Sequence, residues 1–229
     1  MNMKTQIACV ICGAAFVALF TLGWIIIAGL VPAPSPSLDA AAIAKFYGEN
    51  TGAIRFGLLI TMFSASLTIP WIAVIGVQLR RTERDFPVLT ASQLVAGAVT
   101  VVFLTVPIMI WTVAAFRPER ASELIQLMND FGWIMLIMTF PPFFVQLVAI
   151  GLAIVSDKHE RPVFARWVGY FNIWVAILFI PGGLLTFFKT GPFAWNGLLA
   201  FWLPLTVFFL WYIVMCVALI KAIRTPASA

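Results

Sequence analysis

Uncharged polar side chains recur at helical spacing inside otherwise apolar stretches. Thr61, Ser64 and Thr68 stand at i, i+3 and i+7. Gln93, Gly97 and Thr100, and again Thr139, Pro142 and Gln146, follow a closely similar spacing, which sets each trio on one face of a helix. Asn172 adds a further amide. Hydroxyls and carboxamides carry no charge at neutral pH, so the chemistry they offer is hydrogen bonding. They orient an apolar ligand bearing a carbonyl or a hydroxyl, or they tie one helix to the next. Both readings stand at this point. The break Pro181-Gly182-Gly183 interrupts another apolar run and is a candidate cavity wall. The candidate ligand-binding set is therefore Thr61, Ser64, Thr68, Gln93, Thr100, Thr139, Gln146, Asn172, Pro181, Gly182 and Gly183.

Acid–base and metal chemistry are poorly provided for. No Asp, Glu or His lies within a stretch long and apolar enough to sit at hydrocarbon depth, and the sole histidine, His159, lies in a charged turn. Ion-coupled transporters hold ionisable groups at depth, and metalloenzymes gather His and carboxylates. Cys9-Val-Ile-Cys12 has metal-motif spacing but no second pair and no nearby histidine. Cys216 is expected at the same depth, which leaves a three-sulfur cluster as the weaker alternative to small apolar residues on a helix. Three cysteines in apolar runs exclude a disulfide scaffold. No cofactor, metal or catalytic residue is expected.

The elements that position these groups follow from composition. Of 229 residues, 62% are hydrophobic and 10% charged, and the mean hydropathy is +1.04. A soluble domain carries about 25% charged residues to face water. This chain cannot cover itself with solvated side chains, so lipid is its solvent and its first partner. The net charge of +5 is scattered over short loops rather than gathered on one face, which argues against nucleic acid.

A span needs about 20 residues. Six segments qualify: Ile7–Val31, Phe56–Leu79, Phe86–Phe116, Phe131–Val155, Val163–Phe188 and Leu198–Ile220. The first is too long for a cleaved signal segment and reads as a retained span. The expected fold class is an all-α integral membrane protein, a six-transmembrane-helix bundle forming a single polytopic domain. Lys4, Arg80, Arg81, Arg84, Lys158, Arg161, Arg166, Lys221 and Arg224 fall on one side, against Lys45, Arg55, Arg117, Arg120 and Lys189 on the other. The excess places both termini in the cytoplasm, in a plasma (inner) membrane. Two extracytoplasmic connections read as short helices after spans 1 and 3: "PSPSLDAAAIAKFYGEN", capped by Ser37 and running to Tyr47, and "RPERASELIQLMND". They lie on the membrane surface or fold over the bundle as a lid. Lys189, Trp195 and the tryptophans Trp24, Trp111, Trp133 and Trp202 are read as anchors at the lipid–water boundary.

"GVQLRRTERDFPV" (76–88) and "GLAIVSDKHERPV" (151–163) align without gaps 75 residues apart. Spans 2–3 and 4–5 are then parallel repeats, or the likeness is convergence at two charged turns. Spans 2 to 6 each hold an interior proline: Pro70, Pro107, Pro141-Pro142, Pro181 and Pro204. Each removes an amide donor and frees a carbonyl, and the set predicts a bundle that bows open around a cavity in its outer half. Gln93, Gln146 and Asn172 lie about 10–14 Å from the cytoplasmic ends by helix rise and are expected to meet as a polar layer.

Three functions are compatible with this chemistry. The first is a non-catalytic subunit or stabilising partner of a membrane complex, or of a homo-oligomer. The second is a passive carrier or channel for a small, mostly apolar molecule. The third, an interfacial lipid- or isoprenoid-modifying enzyme, has only loop carboxylates to draw on.

Overall fold

A computed structural model describes residues 2–83 and 87–225. Arg84, one of the basic residues that set the orientation, and Phe86, the expected start of span 3, lie outside the described residues. The described residues are all-helical with no strand, and six helical stretches are long and apolar enough to cross a membrane. The elements are α1 (Met3–Phe20) with a π-helical extension over Thr21–Ile27, α2 (Ala40–Glu49), α3 (Thr51–Ser66), α4 (Thr68–Leu79) and α5 (Val88–Phe116). They continue with α6 (Ser122–Met138), α7 (Pro141–Val155), α8 (Arg166–Phe179) with a 3-10 extension over Ile180–Phe187, a π-helical turn at Leu198–Trp202, and α9 (Leu203–Arg224).

Proline explains most of the breaks. α3 and α4 are two halves of span 2, parted at Leu67, one turn before Pro70. The Pro70 ring crowds the carbonyl four residues back, at Ser66. Pro141-Pro142 likewise divides span 4 into α6 and α7. Pro181 turns α8 into a 3-10 segment, and Pro204 opens α9 after the π-helical turn. Pro107 is the exception, since α5 runs through it from Val88 to Phe116.

The spans pack as a closed ring in chain order: span 1 against span 2, then 2 against 3, 3 against 4, 4 against 5, 5 against 6, and 6 back against 1. The closest approach is between spans 1 and 2. A Cβ built on Gly23 would stand 2.6 Å from the Gly57 carbonyl, and one on Gly57 would stand 2.5 Å from the Ala28 amide nitrogen. The two backbones touch only because neither residue has a side chain. Each hairpin also packs on a glycine: a Cβ on Gly76 would meet the Leu94 side chain at 2.9 Å, and one on Gly151 would meet Ile173 at 2.7 Å and the Gly169 carbonyl at 2.9 Å. Both hairpin turns are also closed by a carboxylate: Glu83 accepts from the amides of Leu89 and Thr90 at 3.0 and 2.8 Å, and Asp157 from that of Val163 at 3.0 Å.

The first and last described helical turns lie at the same end of the bundle. Gln78 bonds Gln6, while Arg81 donates to the carbonyls of Ala222 and Thr225 at 2.9 and 3.0 Å. Arg81 thus caps the last turn of α9, where carbonyls lack helical partners and the helix dipole favours a cation. Arg81→Met should lower stability by about 2 kcal/mol, the scale of a charged hydrogen bond, read as a fall in thermal midpoint in detergent.

Three local expectations are revised. α2 is capped by Asp39, whose carboxylate accepts from the Ala42 amide at 2.8 Å, because an acid at that place also meets the positive end of the helix. Ser37 instead hydrogen-bonds Ser35, and α2 runs on to Glu49. The helix expected in "RPERASELIQLMND" is the start of α6, continuous with the apolar stretch that follows. Trp24, Trp111 and Trp133 are interior: they cluster with ring centroids 4.7–6.0 Å apart, Trp24 stacked on Trp111 and Trp133 tilted to both, and are 1% exposed or less. Trp202 remains exposed, and Trp195 is buried, its indole donating to the Pro34 carbonyl at 2.7 Å.

α2 folds back over the start of α6, burying Ile43 and Tyr47 against it. The Tyr47 hydroxyl donates to Asn129 Oδ1 at 3.3 Å, and Gln126 donates to the Leu38 carbonyl at 3.0 Å. Burial, with the nearby Asp130 charge second, pushes the Tyr47 phenol well above its ordinary range, so it remains a neutral donor.

Candidate functional site

The breaks in spans 4, 5 and 6 face one another around an open chamber. Its volume is about 120 Å³. Phe20 and Trp24 of span 1, Thr100, Phe103 and Leu104 of α5, Thr139, Phe140 and Phe143 at the α6–α7 break, Phe179 and Gly182 of span 5, and Phe201, Pro204 and Phe208 of span 6 line it. A second chamber of about 40 Å³ lies beside it, sharing Thr100, Leu104, Phe143 and Phe208 and adding Thr68, Ile72, Gln146, Trp211 and Tyr212. The first is walled by aromatic rings together with aliphatic side chains, and only Thr100 and Thr139 bring a polar side chain to it. The second brings a carboxamide, a phenol and two threonines to its surface.

The proline–glycine breaks create the space. Gly182 lies against Ile137 and Gly183 against Phe140, with contacts of 3.1 and 3.3 Å for a Cβ built at each. The 3-10 segment can therefore lean on the α6–α7 break without filling it. A side chain at either position would press on that break. Phe143 packs edge-on against Phe179, Phe208 and Trp211, with centroids 5.1–5.6 Å apart, an arrangement aromatic quadrupoles favour.

Two of the three amides expected to form a layer meet. Gln93 Nε2 donates to the Ile72 carbonyl at 3.2 Å, and Gln146 Nε2 makes a long 3.5 Å contact to Gln93 Oε1. Gly97 makes room for this pair, since a Cβ there would stand 2.8 Å from Gln146 Nε2. Asn172 stands apart. It accepts from the Trp211 indole at 2.8 Å and donates to the Val168 carbonyl at 2.8 Å and towards the Met215 sulfur at 3.5 Å. It is fully engaged in fastening α8 to α9.

The hydroxyls spend their protons on their own helices. Thr61 donates to Gly57, Ser64 to Thr61, Thr68 to Ala65, Thr100 to Ala96 and Thr139 to Met135, at 2.5–2.8 Å. Such back-bonding satisfies a polar group in hydrocarbon. Of the candidate set, Thr68, Thr100, Thr139, Gln146 and Gly182 line the chambers. Thr61, Ser64, Gln93, Asn172, Pro181 and Gly183 lie behind the walls. The aromatic lining and Tyr212 were not singled out from the sequence: phenylalanine is so frequent here, 21 of 229 residues, that no spacing marks the inward ones.

Cys216 does reach the level of the first two cysteines, its sulfur 3.9 Å from the Val10 carbonyl. All three cysteines are free thiols, and among the described residues no group of three His, Cys, Asp or Glu is placed to hold a metal ion. Lys189 is exposed. Comparison with protein-family models, with curated proteins and with solved structures finds no match.

Proposed function

We propose that this chain is a membrane-embedded binding protein, a passive carrier, for a small and mostly apolar molecule held in the aromatic chamber. The chamber itself carries this reading: about 120 Å³ of space, where a bundle built only for packing fills its interior to crystal-like density. A dry, engineered cavity of about 150 Å³ takes up benzene. The chamber is thus of a size for one substituted ring or a short branched hydrocarbon. Its walls hold no charge, so an ionised solute would stay unpaired there at a cost of several kcal/mol. Uptake is by partition from the bilayer, and Thr100, Phe103 and Phe140, partly exposed lining residues, stand along the side from which a lipid-dissolved molecule approaches.

The arrangement in the cell follows the basic residues: a plasma (inner) membrane, both termini cytoplasmic, α2 and the start of α6 outside. Protease mapping of tagged ends checks it. The test of binding uses p-cymene, a hydrocarbon ring with two small substituents. Purified protein in lipid nanodiscs should bind tritiated p-cymene saturably, at about one molecule per chain, above the uptake of empty nanodiscs. Linear, unsaturable uptake equal to that of empty nanodiscs would end this reading.

A second reading, subunit of a membrane complex, has one observation in its favour. Trp167, Tyr170 and Trp174, at i, i+3 and i+7 of α8, present an exposed aromatic face at the inner end of span 5. Aromatics belong at membrane interfaces, and a partner helix would find the same face. A defined mass above that of the monomer in native mass spectrometry would support it.

A further inference from the structure

Resting on the binding reading above, we infer that the molecule held here carries one neutral hydroxyl group, an alcohol or phenol, seated in the second, smaller chamber between Gln146 and Tyr212. The orientation of the amides follows from a fixed point. Ile72 offers a backbone carbonyl, which can only accept, so Gln93 must turn its NH₂ towards it. Gln93 then has its oxygen left for the neighbouring amide, and Gln146 must meet it with nitrogen. The Gln146 oxygen is thereby directed away from that chain. Among the described residues it has no hydrogen bond, although Gln146 is 2% exposed.

Tyr212 is the second group. It is 5% exposed and lines the same chamber, its ring stacked on Trp71 at 5.3 Å, and its hydroxyl has no hydrogen-bond partner among the described residues. Neither oxygen is among the fully enclosed polar atoms without a partner, which are indole nitrogens, so each keeps accessible hydrogen-bonding capacity that hydrocarbon cannot meet. A ligand hydroxyl answers both, since it donates to Gln146 Oε1 and accepts from the Tyr212 phenol. A ketone could accept from Tyr212 but would leave the Gln146 oxygen unmet. A carboxylate or amine would bring a charge for which neither chamber has a counterion. The apolar body of the molecule then extends past Thr100 and Phe143 into the aromatic chamber, these two residues lining both spaces.

The test compares thymol with p-cymene, two molecules alike except for one hydroxyl, on nanodisc-embedded protein with each affinity corrected for partition into empty nanodiscs. Thymol should bind about tenfold more tightly, the factor for one net hydrogen bond made to an otherwise unmet group. Gln146→Leu should reduce that preference to about twofold or less while p-cymene binding persists, and Tyr212→Phe should do the same in part. An unchanged tryptophan emission spectrum checks that each variant is folded; should Gln146→Leu fail to fold, Tyr212→Phe alone decides. Equal binding of thymol and p-cymene by the wild type, or a thymol preference that survives in the folded variants, overturns the hydroxyl assignment and leaves the apolar-binding reading standing. Saturable binding of neither compound overturns both.

Discussion

Gly57→Val should remove most of the folded protein. Gly57 and Gly23 face each other where spans 1 and 2 touch, and a Cβ at either would meet the other's backbone. Backbone atoms cannot rotate away as a side chain does, so the two spans must separate by the width of a methyl group or more. Their separation would also pull on the ring that closes span 1 against span 6. Overpacking in a core costs about 1–3 kcal/mol where side chains can give way. Here the obstacle is main chain, and the cost should reach or exceed about 3 kcal/mol, a large share of the total stability of a domain. The measurement is the yield of monodisperse protein in size-exclusion chromatography with its thermal midpoint. Gly57→Ala should fall between wild type and Gly57→Val, whereas Gly48→Val, at a glycine with open space around it, should leave the yield high.

Thr100→Phe should weaken ligand binding sharply and spare the fold. Thr100 lines both chambers and its hydroxyl bonds only its own helix, at Ala96. Removing the hydroxyl leaves the Ala96 carbonyl with its ordinary place in the α5 ladder. The phenyl ring has the chamber to occupy, and filling a cavity commonly adds about 0.5–2 kcal/mol of stability. Saturable p-cymene binding should weaken at least about tenfold, equivalent to about 1.4 kcal/mol, while the thermal midpoint stays level or rises. Lost binding with a lowered midpoint would mean that the site had been unfolded rather than filled. Lys189→Gln, at an exposed position outside the chamber, should leave p-cymene affinity unchanged within about twofold.

The fold is legible in the sequence wherever one residue type enforces a local outcome. Scarcity of charge dictates a lipid solvent, the apolar runs dictate six spans, and proline dictates where the rods break. Pro107 marks the limit of that rule. A proline inside a helix has alternatives in lipid, and whether it breaks the rod depends on neighbours that no local pattern encodes. The extent of α6 was obscured for a similar reason. Glu123 and Asp130 look like loop residues, yet helix continues through them, covered on one side by Ile43 and Tyr47 of α2.

The site was legible in part. Helical spacing picked out the polar faces, and Thr68, Thr100, Thr139 and Gln146 do line the chambers. Depth along the chain put Gln93, Gln146 and Asn172 at one level, but rotation about each helix axis decides what an amide meets. Asn172 turns to Trp211 and Gln146 turns to Gln93. The same ambiguity hides the tryptophan cluster, since Trp24, Trp111 and Trp133 carry the residue type of an interfacial belt and the positions of a core. Their indoles, with that of Trp71, have no hydrogen-bond acceptor, which is the reverse of what a headgroup environment would supply.

The most direct measurement is an experimental structure of the chain in lipid, grown with 4-bromothymol and recorded at the bromine absorption edge. One strong anomalous peak per chain is expected, enclosed by Phe143, Phe208 and Gly182, with the phenol oxygen towards Gln146. A chamber closed by inward-turned phenylalanines, with bromine found only among the surrounding lipid, would contradict it.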